Sequence, residues 1–375
     1  MRLINTATLS LDEFFGDQVP EYAILSHTWH EEEVAFRDWA DQASASRKKG
    51  YRKIVDTCRL AREQGYGYVW VDTNCIDKSS SAELSEAINS MFSWYQGARV
   101  CYVYLSDVPS PALGEPMDTK TFRRSRWFTR GWTLQELLAP RDVEFYSKDW
   151  SLLGTKLSLC PEISLITGIN AKYLGKKCLG VWYICPRSGA VVQSIEYDIP
   201  VNNASVAERL SWVSNRSTTR PEDIAYCMLG ILGLHMPLLY GEGHGAFLRL
   251  QGEIMKVSND QSLFCWTWDR YYDRGSILAP HPSAFSGSSH YVPRPGPRPS
   301  PYHLTNAGLK IELSFLSCIS PTTFLAILEA GCSSSGSKIG LPFYGNHQAQ
   351  RMYRQPNPPV PIQLCEGLVE NQALP

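Results

Sequence analysis

Residues 68–105 read YVWVDTNCIDKSSSAELSEAINSMFSWYQGARVCYVYL. Two short apolar runs, Tyr68–Val71 and Val100–Leu105, bracket a stretch in which Leu84, Ile88, Met91, Phe92 and Tyr95 recur at helical spacing. Ser80 and Glu83 stand in capping-box register at the start of that stretch. A buried run, an amphipathic helix over 81–97 and a second buried run predict strand, helix, strand. That is the unit from which parallel sheets are built.

The same alternation extends in both directions. Upstream, Tyr22-Ala-Ile-Leu25 reads as a strand ending in Ser26-His27-Thr28-Trp29. After a loop or short helix over 31–42, residues 50–65 predict a helix on Ile54, Cys58 and Ala61, with Gly65 as its stop. Downstream, a proline-rich loop covers 109–120. A helix over 127–138 then ends before Pro140, and Val143–Tyr146 is a fourth strand. The expectation is an α/β fold with a mostly parallel sheet flanked by helices, in a domain over 1–150 whose core lies at about 20–150.

Residues 151–275 predict a helical extension, with candidates at 161–168, 205–214, 221–232 and 245–257. A cysteine-containing, strand-like stretch at about 176–200 interrupts it. Residues 276–375 read as a proline-rich linker, two or three short strands within 303–330, and a polar tail beyond 346 expected to lack order.

Composition excludes several classes. The 375 residues carry 36 basic and 37 acidic side chains, so no global charge draws the chain to nucleic acid. Eleven cysteines occur without a C-x-x-C pair, which predicts free thiols rather than a disulfide framework or a metal site. No apolar run reaches the ~18 residues of a membrane span. Met1–Thr6 opens no long apolar stretch, so the expected location is cytoplasmic.

In an open parallel sheet, ligands bind outside the carboxyl ends of the strands. Three predicted strand ends are polar, which makes Ser26, His27, Trp29, Asp72, Asn74 and Asp77 candidates for substrate binding. Ser106-Asp107 ends the third strand. The competing reading is that such residues only cap helices and turns. Arg130, beside Arg123-Arg124-Ser125-Arg126, is a candidate phosphate contact near a helix start, against the alternative of a solvated loop. Glu86 lies opposite the apolar stripe of its helix, so it is either solvated or turned to a cleft. Cys75 with His27 offers a thiol and a base, against simple strand-end packing. Glycine-rich phosphate fingerprints are absent.

Four stretches together resemble the HET domain of fungal heterokaryon-incompatibility proteins. They are Tyr22-Ala-Ile-Leu-Ser-His-Thr-Trp29, Tyr68-Val-Trp-Val-Asp-Thr-Asn-Cys-Ile-Asp77, Glu83–Tyr95, and Ser125-Arg-Trp-Phe-Thr-Arg-Gly-Trp-Thr-Leu-Gln-Glu-Leu-Leu-Ala-Pro140. Ser205–Trp268 resembles the segment that commonly follows this domain. The resemblance implies an effector of non-self recognition that drives growth arrest or cell death. It also implies a distant kinship to TIR domains, with a flavodoxin-like sheet. Some TIR domains cleave NAD at the nicotinamide–ribose bond with a helix glutamate, and by that analogy Glu86 is the catalytic candidate. NAD would then be a substrate, with no tightly bound cofactor. The alternative is a non-enzymatic module acting through self-association or protein partners, and a cysteine hydrolase is a minor third. The pattern departs from the family in two places. No P-loop or WD-type repeat follows, and Lys176–Asp198 looks like an insertion or translated intron.

Overall fold

The computed structural model describes residues 1–112, 115, 117–175, 183–184, 191–192, 199–267, 276–296, 301–306, 308–317, 322–346, 351–355 and 358–362. Contacts divide the chain into two compact units, Met1–Val201 and Asn202–Pro375.

The first unit is an α/β sandwich. Its elements are β1 (Arg2–Asn5), β2 (Leu11–Glu13), β3 (Ala23–His27), α1 (Phe36–Trp39), α2 (Gln42–Ala45), α3 (Gly50–Glu63), β4 (Tyr68–Trp70), α4 (Ser81–Gly97) and β5 (Val100–Tyr104). They continue with α5 (Thr119–Arg123), α6 (Thr133–Leu138), β6 (Val143–Tyr146), β7 (Leu152–Thr155) and α7 (Cys160–Thr167). The seven strands lie in the order β2-β1-β4-β3-β5-β6-β7. β3, β4, β5 and β6 are parallel; β1 pairs antiparallel with both β4 and the edge strand β2, and β7 pairs antiparallel with β6 at the other edge. The parallel core therefore has chain order 2-1-3-4, the doubly wound order of flavodoxin-like sheets.

Local sequence explains the elements. β3 is buried at every position, as a central parallel strand must be. α3 buries Gly50, Lys53, Ile54, Thr57, Cys58 and Ala61 as one stripe and stops where Gly65 takes φ +89. α4 spans the predicted residues and buries Ala87, Ile88, Met91 and Tyr95. The Ser80 side chain accepts from Glu83 N–H, as in a capping box. The reciprocal half differs: Glu83 accepts from the Asp77 N–H at 2.7 Å and also pairs with Arg2. The helix expected over 127–138 is broken. A 3-10 turn at Arg126–Thr129 precedes α6, because the Ser125 and Thr133 side chains close separate turns on either side of Gly131.

Late in the first unit, β8 (Tyr183–Ile184) and β9 (Val191–Val192) form an antiparallel pair. The rest of the interrupting stretch at 176–198 lies outside the described residues. The second unit opens with the short helices α8 (Val206–Ser211), α9 (Asp223–Tyr226) and α10 (Leu229–Leu232), then α11 (Gly245–Val257). Strands follow: β10 (Tyr291–Pro293), β11 (Tyr302–Thr305), β12 (Gly308–Ile311), β13 (Ser314–Ser317), β14 (Thr323–Cys332), β15 (Lys338–Asn346), β16 (Arg351–Arg354) and β17 (Val360–Ile362). β14 and β15 are the long central pair, and β16 and β17 both pair with β15. The expectation that the chain lacks order beyond 346 is corrected at these two strands. Backbone pairing to β15 supplies what their composition does not. Among the described residues no helix is long and apolar enough to cross a membrane.

Candidate functional site

The chain leaves β3 for β4 on one side and returns past it to β5 on the other. The switch point of the sheet is thus the crevice beyond the ends of β3 and β5, where doubly wound folds bind ligands. A cleft of about 670 Å³ lies there. Its wall comes from the segment after β3 (Trp29, His30, Glu31, Glu33), the first turns of α3, the end of β5 (Tyr104, Ser106), Arg126, and the segment after β6 (Lys148, Trp150).

Trp150 holds φ +60, a conformation costly for a bulky side chain, and its ring stacks on Tyr104 at 4.8 Å. Strain of this kind costs about 1–3 kcal/mol and persists where surrounding structure enforces it. The lining cations Lys49, Arg52 and Lys53 pair with Glu32, Asp56 and Glu33. Arg126 and Lys148 have no carboxylate partner among the described residues. The cleft thus offers aromatic faces beside two cations available to an anion.

Behind the cleft runs a chain of ionisable groups. Lys53 Nζ donates to His27 Nδ1 at 2.7 Å and to Glu33 Oε1 at 2.7 Å. A ring nitrogen that accepts carries no proton, so His27 holds its proton on Nε2 and donates it to Asp72 Oδ1 at 3.1 Å. Asp72 Oδ2 accepts from Trp29 Nε1 at 2.9 Å and faces Lys78 at 3.5 Å, and the Lys78 ammonium sits 3.6 Å over the Trp29 ring. Burial works against the Asp72 carboxylate, but Lys78, His27 and Lys53 outweigh it and hold its carboxyl below the usual range. Burial pushes the Lys53 ammonium down, against the pull of Glu33 and Asp72.

His30 is a second pair of contacts. Arg126 Nη2 lies 3.3 Å from His30 Nδ1 and 3.5 Å from His30 Nε2, and His30 Nε2 is within hydrogen-bond distance of Ser106 Oγ at 2.7 Å. Burial first, and then Arg126, holds the His30 pKa down.

The predicted residues divide. Trp29, 43% exposed, lines the cleft. His27 and Asp72 form the layer behind it. Ser26 is fully buried: its hydroxyl donates to Glu136 Oε2 and accepts from Trp127 Nε1 at 2.7 Å. Asn74 is also fully buried, with Nδ2 donating to Val34 O and Oδ1 accepting from Thr73. Asp77 closes a turn by accepting from the backbone and side chain of Ser79. Glu86 is exposed on α4 and, like Ser26, Asp72 and Arg130, is absent from the cleft lining. The structure therefore places none of Ser26, Asp72 and Glu86 in the lining of this cleft. Arg126, not Arg130, is the arginine of that patch that reaches it.

Cys75 and His27 do not form a nucleophile and base. Both His27 nitrogens are engaged, and the Cys75 Sγ accepts from Val71 N–H at 3.4 Å. Burial pushes that thiol up to about 12. Glu33 and Lys53 were missed in the sequence. The available signal was Lys53 itself, a lysine inside the buried stripe of α3.

Residues 22–119 match the family model described as heterokaryon incompatibility protein (HET). Over 245 residues, 64% of this chain, the sequence is 44% identical to the vegetative incompatibility protein HET-E-1 of Podospora anserina. The chain spans 16% of that relative's length. No solved structure matches.

Proposed function

Since the chain carries a heterokaryon incompatibility (HET) domain, we propose that it is an incompatibility effector that acts by binding and cleaving an NAD-type dinucleotide in the switch-point cleft. One observation carries this reading. The cleft combines the aromatic faces of Trp29, Tyr104 and Trp150 with Arg126 and Lys148, which have no carboxylate partner among the described residues, and with the carboxylate of Glu33. A dinucleotide needs that combination: flat rings to stack, phosphates to neutralise, and ribose hydroxyls to receive. Its 670 Å³ suits a ligand larger than a single ring.

In the reaction, the bond between ribose C1′ and the nicotinamide nitrogen breaks. The bonding pair returns to the ring nitrogen and cancels its positive charge. Water adds to the cationic ribosyl carbon and releases a proton to solvent. A carboxylate beside the ring stabilises the oxocarbenium-like transition state.

Purified protein incubated with NAD should release nicotinamide, measured by chromatography. Absence of release, in dilute protein and in protein driven to self-associate, sinks the enzymatic reading. The second reading is a binding module acting through protein partners. What favours it is Glu86, exposed on α4 and making no hydrogen bond or ion pair among the described residues. Loss of partner capture in Glu86→Arg, with no nicotinamide release from either protein, is the pattern that reading predicts.

A further inference from the structure

The cleft holds one carboxylate in an unusual state. Glu33 Oε1 accepts from Lys53 Nζ and from the His30 N–H at 3.0 Å. Its second oxygen, Oε2, is buried and has no hydrogen-bond partner among the described residues. It lies over the first residue of α3: a Cβ at position 50 would sit 2.8 Å from it, so Gly50 alone leaves it room. A buried carboxylate oxygen without a donor is unfavourable. A hydroxyl delivered by a ligand removes that penalty, after a small turn of the carboxylate toward the cleft that Glu33 already lines.

The groups behind Glu33 point the same way. Asp72, His27, Lys53 and Glu33 come from the loop after β4, the end of β3, α3 and the loop after β3. They form an unbroken file with links of 3.1, 2.7 and 2.7 Å. Desolvating this many ionisable groups brings little net stability, whereas files that fix the charge and direction of one terminal group recur at reaction centres. The terminal group on the cleft side is Glu33.

We propose that Glu33, rather than Glu86, is the catalytic carboxylate of the cleft. Oε2 receives a ribose hydroxyl and stabilises the ribosyl cation, and Lys53, held by His27 and Asp72, is its positioning residue. This rests on the dinucleotide-cleaving reading above. The bond changes are those already given, and Glu33 forms no covalent bond.

The test follows nicotinamide release from NAD by the full chain and by Glu33→Gln, Glu33→Asp, Lys53→Met, Lys53→Arg and Glu86→Gln, with thermal melting of each. Glu33→Gln should lower kcat about 100-fold or more with KM within about threefold. Glu33→Asp keeps the charge and the Lys53 partner, so it keeps the fold and still loses about tenfold in kcat. Lys53→Met should lower kcat about tenfold, and Lys53→Arg, which can still donate to the carboxylate, should recover most of it. A merely structural lysine would show lower melting without that kcat-specific loss and recovery. Wild-type rates in Glu33→Gln and Glu33→Asp, with wild-type cleavage present, overturn the Glu33 assignment and leave the cleavage reading standing. Collapse in Glu86→Gln with Glu33→Gln intact overturns it in favour of Glu86. No cleavage by the wild-type protein removes both readings.

Discussion

Ser26 and His27 are neighbours at the end of β3, and a strand sends neighbours to opposite faces of its sheet. Their fates differ accordingly. Ser26 points into a closed pocket where Trp127 Nε1 and Glu136 use its hydroxyl completely. His27 points to the α3 side, where it links Asp72 to Lys53 and so to the wall of the cleft. Two polar residues side by side in one motif thus serve different ends, one as a latch between motifs and the other as support for a site. A polar strand end marks the correct edge of a sheet, but the face decides whether a side chain can meet a ligand.

The hardest way to break this contrast is from the closed side. Trp127 is 1% exposed and packs on Phe128 and Phe145 with centroids 5.1 and 5.6 Å away. Trp127→Ala leaves a large cavity and strips Ser26 of its donor. It should destabilise the domain by about 3–5 kcal/mol in denaturant unfolding. If Ser26 belongs to a latch alone, the protein that remains folded keeps its affinity for ADP-ribose. A selective loss of ligand binding at unchanged stability would return Ser26 to the site.

On the open side, Asp72→Asn should cost about 2 kcal/mol, the scale of a charge-assisted hydrogen-bond set, since Asp72 receives His27, Trp29 and Lys78. Its pH signature is more telling. The folded carboxyl titrates below the ordinary 3.8 of an unfolded aspartate. The folded state therefore binds fewer protons in that window. The stability from Asp72 is complete above about pH 4 and is lost as pH falls through the folded value. Wild-type stability should drop more steeply than that of Asp72→Asn below pH 4. Parallel curves would mean that Asp72 is not held ionised by its partners.

The same contrast explains what was legible in the sequence. β3, α3, β4, α4, β5 and β6 were readable because each is a buried run or a periodic stripe. β1, β2 and β7 were not. Arg2–Asn5, Leu11–Glu13 and Leu152–Thr155 are short strands in antiparallel pairings whose pairing comes from the sheet rather than from local pattern. At the site, Trp29, His27 and Asp72 were legible as polar residues beyond apolar runs. Glu33 was hidden in the acidic run Glu31-Glu32-Glu33, which reads as a solvated loop. Glu86 drew attention through a resemblance, and nothing in a helical wheel distinguishes a solvated glutamate from one turned to a cleft. Only the fold joins residue 33 to residue 53.

The mildest perturbation tests the outer rim. The Arg126 side chain is exposed, and its described bonds run to His30 at 3.3 and 3.5 Å. Its backbone N–H, not its guanidinium, holds Asp107 at 2.8 Å. Arg126→Ala should therefore change stability by no more than about 0.5 kcal/mol. If Arg126 neutralises a ligand phosphate, the variant should bind ADP-ribose about tenfold more weakly in calorimetry, and the difference should shrink as salt rises. His30 supplies an internal check that needs no ligand. Burial holds its pKa down first and Arg126 adds to that, so removing the guanidinium should move the His30 NMR titration upward. An upward shift with unchanged ADP-ribose affinity would place Arg126 beside the cleft without a role in it, and would assign the anion to Lys148.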